Sequence, residues 1–140
     1  MEIDNIQNNI IDEFGEMEEW MDKYSFLIDL GNELPTIDSE YKTEKYLIEG
    51  CQSKVWLFAE MENGKVFYKA DSDAIITKGI IALLVKVLSG RKPDEIVNSD
   101  LFFIKDIGLE KHLSPTRANG LLSMVKQMRL YALAFQSKQK

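Results

Sequence analysis

One cysteine stands among the 140 residues, in the stretch IEGCQSKVWLFAE at positions 48–60. A thiol does chemistry as its thiolate, which attacks electrophilic sulfur or carbon or ligates a metal. Cys51 follows Gly50 and precedes polar Gln52 and Ser53, which places it on a tight connecting loop. A packing cysteine would more naturally occupy the apolar face of a strand. At this point a small buried hydrophobe and a reactive thiol are both open readings. His112 is the one imidazole available as a base for a Cys–His pair, but it reads first as a residue capping or packing at a helix junction. Arg117 falls in the first turn of a helix, where a cation opposes the dipole and gains little locally. Pairing with Asp73, steadying a thiolate and a plain surface role all fit it. Asp71 and Asp73 read first as helix-cap chemistry, and the six methionines read as core.

The elements that must position these groups follow from periodicity. Ile6, Ile10, Phe14, Met17, Trp20, Met21, Tyr24, Leu27 and Ile28 recur at helical spacing. Gly15 interrupts them, so the pattern predicts two helices with a bend near residues 14–17 and a stop at Gly31. A polar loop with Pro35 comes next. KYLIEG, KVWLFAEM and VFYKA predict strands, the last two joined at Asn63-Gly64, whose positive-φ preference marks a two-residue hairpin turn. That turn pairs Met61 with Val66, Ala59 with Tyr68 and Leu57 with Ala70. Asp71 and Ser72 are N-cap candidates for a helix from about Asp73 to Ser89, ended by Gly90. A short helix begins with Pro93, another ends near Gly108, and a last one runs from the Ser114-Pro115 cap to about Phe135, leaving QSKQK frayed. Helices, then strands, then helices predict one α+β domain over residues 1–140, with helices packed on an antiparallel sheet of about three strands.

Composition excludes several functions. A hydrophobic share of 45% suits a globular protein, and the formal net charge of −6 leaves no basic stripe for nucleic acid. The longest apolar run, GIIALLVKVL at 79–88, is too short to span a membrane and contains Lys86. The N-terminus lacks the features of a signal peptide, so a cytoplasmic protein is expected. One cysteine cannot form an internal disulfide, and one cysteine with one histidine cannot build the common zinc sites or ligate a cluster.

Several short motifs carry a resemblance. Gly50-Cys51-Gln52-Ser53 with Val55-Trp56, then Asp71-Ser72-Asp73-Ala74 with Lys78-Gly79, resemble the signature of the SufE family of cysteine desulfuration proteins. So do His112-Leu113-Ser114-Pro115 with Arg117 and Gly120-Leu121, and LGNELP at 30–35. These motifs occur in order from about Tyr24 to the C-terminus. Ala70 departs from the pattern, standing where the family usually has glycine.

The resemblance implies a SufE/IscU-like fold and a sulfur acceptor. Cys51 would take sulfane sulfur from a SufS-type cysteine desulfurase, stimulate that enzyme, hold a transient persulfide and pass the sulfur to an iron–sulfur scaffold. Gly50, Gln52, Ser53, Asp73, His112 and Arg117 become candidates for the thiol's surroundings or for docking the desulfurase. No bound cofactor or metal is implied; pyridoxal phosphate belongs to the partner. Such a protein is a persulfide carrier and activator rather than a stand-alone enzyme. A Cys51–His112 thiol hydrolase and a non-catalytic adaptor with an inert cysteine stand as alternatives.

Overall fold

A computed structural model describes residues 3–35 and 37–138. Helices α1 (Ile3–Gly15) and α2 (Trp20–Glu33) are separated by a bend close to the predicted one. Buried Gln7 joins α1 to the chain around Phe103. Its Nε2 donates to the Asp100 carbonyl at 3.0 Å and its Oε1 accepts the Phe103 N–H at 3.1 Å, so neither end is left unpaired.

Strands β1 (Val55–Glu62) and β2 (Lys65–Ser72) form an antiparallel hairpin in the predicted register, with Met61 opposite Val66, Ala59 opposite Tyr68 and Leu57 opposite Ala70. Asn63 and Gly64 turn it with φ of 53° and 77°. One face, including Val55, Leu57, Val66, Tyr68 and Ala70, is buried. On the other, Phe58 stacks under Tyr41 with ring centroids 4.0 Å apart, and Tyr46 meets it edge-on. Ala70, where the family pattern has glycine, sits in regular ladder and needs no special backbone.

The sheet has two strands rather than about three. The segment KYLIEG, expected to be a strand, begins in a single 3₁₀ turn at Glu44–Tyr46, and only Leu47 bridges to Trp56. The Ile48 N–H donates to the Val55 carbonyl at 2.9 Å, and the chain then turns away into the Cys51 loop. A ladder cannot lengthen past that departure.

Helix α3 (Ile75–Leu88) is apolar on nearly every side and lies at the centre, packed by α2, β2, α1 and α7. It meets α2 at two glycines. Gly31, expected to stop α2, lies inside that helix and is buried. A Cβ on Gly31 would stand 3.0 Å from the Gly79 nitrogen, and one on Gly79 only 2.2 Å from the Leu27 carbonyl oxygen. The glycines are there for backbone contact, not for termination.

The rest of the chain closes the core. Helix α4 (Pro93–Val97) starts with its proline as predicted. The short helix expected to end near Gly108 is α5 (Phe103–Asp106), and Gly108 at φ 72° separates it from a further helix not expected there, α6 (Leu109–His112). Helix α7 (Pro115–Lys138) continues past Phe135; of the tail expected to fray, Gln136, Ser137 and Lys138 are helical, while Gln139 and Lys140 lie outside the described residues. Tyr68 Oη donates to the Met128 carbonyl at 2.6 Å and Tyr131 Oη to the Leu57 carbonyl at 3.0 Å, tying α7 to the hairpin. Among the described residues no helix is long and apolar enough to cross a membrane.

The glycine crossing can be tested. Gly79→Ala forces a methyl group against backbone and should cost about 2–3 kcal/mol in urea denaturation. Gly15→Ala, with nothing within 4 Å of the new Cβ, should change stability by less than about 1 kcal/mol and in the stabilising direction. Equal stabilities for the two variants would contradict the assigned contact.

Candidate functional site

Cys51 lies on a loop held at both ends. At the first end is the Ile48–Val55 hydrogen bond. At the second, Lys54 is gripped by the chain between β2 and α3. Its N–H donates to Asp73 Oδ1 at 3.0 Å, and its carbonyl accepts both the Asp73 N–H at 3.2 Å and the Ser72 hydroxyl at 2.8 Å. Asp71, also expected as a cap residue, does something else. It receives Lys42 Nζ at 2.6 Å and Lys78 Nζ at 3.3 Å, fastening the 42 loop and α3 to the end of β2. Burial alone would raise its carboxyl pKa; hydrogen bonds from Lys42 and Ser72 and the Lys78 charge outweigh that and hold it below the usual range. Ser72 Oγ accepts the Ala74 N–H at 3.2 Å, but no side chain caps α3.

Between its two clamps the loop is loosely attached. Residues 49–53 make no main-chain hydrogen bond to another element among the described residues. Gly50, at φ +92°, lies against Ser123, where a Cβ would come within 2.4 Å of the hydroxyl. Cys51 Sγ donates to the Gly120 carbonyl at 3.6 Å, a weak bond. A Cβ on Gly120 would stand 3.5 Å from that sulfur. Gly120 and Ser123, one turn apart, give α7 the small-residue face on which the loop rests.

The thiol is half-buried on the wall of a cavity of about 340 Å³. Gln52 and Ser53 of the loop, Thr77 of α3, and Ser114, Thr116, Arg117 and Met124 at and along α7 share that wall. Burial pushes the Cys51 pKa up, because a thiolate loses more hydration than a thiol when water is excluded. The sulfur faces the cavity half-buried, with the Gly120 carbonyl as its one hydrogen-bond partner among the described residues.

The structure brings together some of the candidate residues and separates others. Gly50, Gln52, Ser53 and Arg117 surround the thiol or its loop. Arg117 N–H donates to Ser114 Oγ at 3.2 Å, the N-cap bond expected of Ser114-Pro115. Its guanidinium has no carboxylate partner among the described residues, so the anticipated pairing with Asp73 is not formed. Asp73 acts on the loop's main chain rather than on the sulfur. His112 is not among the residues lining the cavity. Its ring stacks on Trp20, centroids 3.8 Å apart, and its carbonyl accepts the Tyr24 hydroxyl at 2.7 Å. It joins α6 to α2, and a Cys51–His112 pair is not assembled. Thr77, Thr116 and Met124 were not singled out from sequence. The spacing of Arg117, Gly120 and Met124, which puts them on one helix face, was the signal that could have found Met124. Among the described residues no group of three His, Cys, Asp or Glu side chains is placed to hold a metal ion.

Comparison with known proteins adds relatives to this geometry. Residues 8–132 match the family model described as SufE, Fe-S metabolism associated domain. The chain is 44% identical over 130 residues to SufE-like protein 1, chloroplastic/mitochondrial, of Arabidopsis thaliana, covering 92% of this chain but only 35% of that longer protein. An uncharacterized SufE-like protein of Rhizobium meliloti (strain 1021) is 36% identical over 127 residues, covering 87% of this chain and 91% of the relative. One from Synechocystis is 41% identical over 114 residues, covering 81% and 72%. In fold the chain is similar to the solution structure of a hypothetical protein from Thermus thermophilus, at a TM-score of 0.78 and 19% identity, with 94% and 96% of the two chains covered.

Alkylation reports directly on the thiol. Because iodoacetamide reacts with the thiolate, the rate profile of the folded protein should rise at higher pH than that of the urea-unfolded chain. Asp73→Ala removes one clamp bond, costing about 1–2 kcal/mol of stability, and should speed alkylation of Cys51 severalfold. An unshifted profile, or an Asp73→Ala rate equal to wild type, would contradict the described burial and clamp.

Proposed function

The chain belongs to the SufE family, and we propose that it is a sulfur acceptor and carrier for iron–sulfur assembly, working in the cytoplasm. A SufS-type cysteine desulfurase, which holds the pyridoxal phosphate, presents a persulfide. The Cys51 thiolate attacks its outer sulfur, the donor's S–S bond breaks, and the donor thiolate leaves with the bonding pair. Removing that sulfur frees the desulfurase for another turnover, so the carrier also activates its donor. Cys51 then surrenders the sulfur to a downstream iron–sulfur scaffold.

The observation that carries this reading is the attachment of Cys51. Two clamps fix where the loop starts and ends, while the sulfur itself is retained by one weak 3.6 Å bond. Outward rotation of residues 49–53 costs little and delivers the thiol into water, where the burial that raised its pKa is relieved. Inward rotation returns a loaded sulfur to the cavity, away from reductants and oxidants. With one cysteine in the chain, no second thiol can attack the persulfide and discharge it as an internal disulfide. Arg117, which lines the same cavity, is the candidate cation for the thiolate once it forms. The Cys–His hydrolase alternative lacks its pair, since His112 is engaged with Trp20.

Intact-mass analysis after mixing with a cysteine desulfurase and free cysteine tests the proposal. A reductant-labile gain of one sulfur is expected, absent in Cys51→Ser, together with faster desulfurase turnover that the same variant abolishes. An unloaded protein beside a loaded donor, or full stimulation by Cys51→Ser as an adaptor would give, would overturn it.

A further inference from the structure

This chain has 23 acidic residues against 17 lysines and arginines, yet no carboxylate lines the Cys51 cavity. Its charged member is Arg117, beside the hydroxyl-bearing residues Thr77, Ser114 and Thr116. Thr77 is only 6% exposed, and its hydroxyl has no hydrogen-bond partner among the described residues. Its oxygen keeps contact with the cavity rather than being sealed off from it, and so can donate to an acceptor bound there. Two helix starts meet here. Thr77 is the third residue of α3 and Thr116 the second of α7. The α3 terminus has no side-chain cap, and the amides of Ile75, Ile76 and Thr77 make no hydrogen bond among the described residues. Such termini favour anions through their free N–H groups and the helix dipole. A cavity free of carboxylates, with a cation, an unpartnered hydroxyl open to it and the uncapped start of α3, suits an oxyanion.

We propose that this cavity is an oxyanion subsite through which Cys51 takes sulfane sulfur directly from thiosulfate, without a protein donor. It rests on the reading of Cys51 as a sulfur acceptor and adds a small-molecule source. About 340 Å³ leaves ample room for thiosulfate beside the thiol. Thr77 and Arg117 hold the sulfonate oxygens so that the outer sulfur faces Cys51 Sγ, and the guanidinium offsets the repulsion between two anions. Cys51 gives its proton to solvent. Its thiolate attacks the outer sulfur, the S–S bond of thiosulfate breaks, and sulfite leaves with the bonding pair. The transferred sulfur is already at the sulfane level, so no outside oxidant or reductant takes part.

The test uses the reduced full chain with thiosulfate alone, in parallel with desulfurase plus cysteine. Expected are a reductant-labile gain of one sulfur on Cys51, release of one equivalent of sulfite, and competitive inhibition by sulfate, which has the oxygens but no outer sulfur. Thr77→Val should slow loading from thiosulfate about tenfold, by loss of a hydrogen bond to a charged group, and Thr77→Ser should recover most of the rate. Arg117→Gln, at an exposed position, gives a second variant whose folding is not in question and should slow loading at least as much. No loading from thiosulfate while the desulfurase loads Cys51 would overturn this proposal and leave the carrier reading standing. Failure of both donors would overturn both. Loading that ignores sulfate and both substitutions would overturn the subsite, because an exposed thiol would then be reacting without one.

Discussion

The main chain of Lys54 is held by three hydrogen bonds from Ser72 and Asp73, and the placement of the sulfur follows from them. They fix the point at which the Cys51 loop enters β1 and bind that point to the start of α3. The hairpin register then sets where β2 ends, and the Asn63-Gly64 turn sets the register. The crossing of Gly31 and Gly79 sets how close α3 lies to α2. A chain of backbone constraints thus runs from a two-residue turn to a cysteine, with little side-chain chemistry in between. The Asp-Ser-Asp run earns its place by this route. Its residues bind main chain and lysines rather than the thiol.

The electrostatics of the site oppose one another in a useful way. Burial pushes the thiol pKa up, while the cavity it lines carries Arg117 and no carboxylate. A thiol tucked against the Gly120 carbonyl is a poor nucleophile, and a longer, charged group reaching past it into the cavity is better accommodated. The same burial therefore disfavours the ionised thiol while it stays tucked in.

Much of this was legible in the sequence because local chemistry decided it. Asn-Gly fixed the hairpin, Ser114-Pro115 capped the last helix, and Gly50 announced the loop. What was misread depended on tertiary contact. KYLIEG has strand-like composition, yet Ile48 bonds Val55 and the chain leaves the sheet immediately. Gly31 looks like a helix stop in one dimension and is a point of helix contact in three. His112 and Cys51 are the chain's two obvious catalytic residue types, and only the packing of α6 on Trp20 reveals that they serve different ends. Thr77 gave no local sign at all, since a threonine in a helix's first turn is ordinary until a cavity opens beside it.

Residue-resolved amide hydrogen exchange on the free protein tests the central claim most directly, that the sulfur rides on a slack segment between two fastened points. Ile48, Lys54 and Asp73 amides should exchange slowly, with protection approaching that of the β1–β2 ladder, while the amides of residues 49–53 exchange close to the rate of an unstructured chain. Protection extending evenly across 49–53, or fast exchange at Ile48 and Lys54 alike, would contradict it.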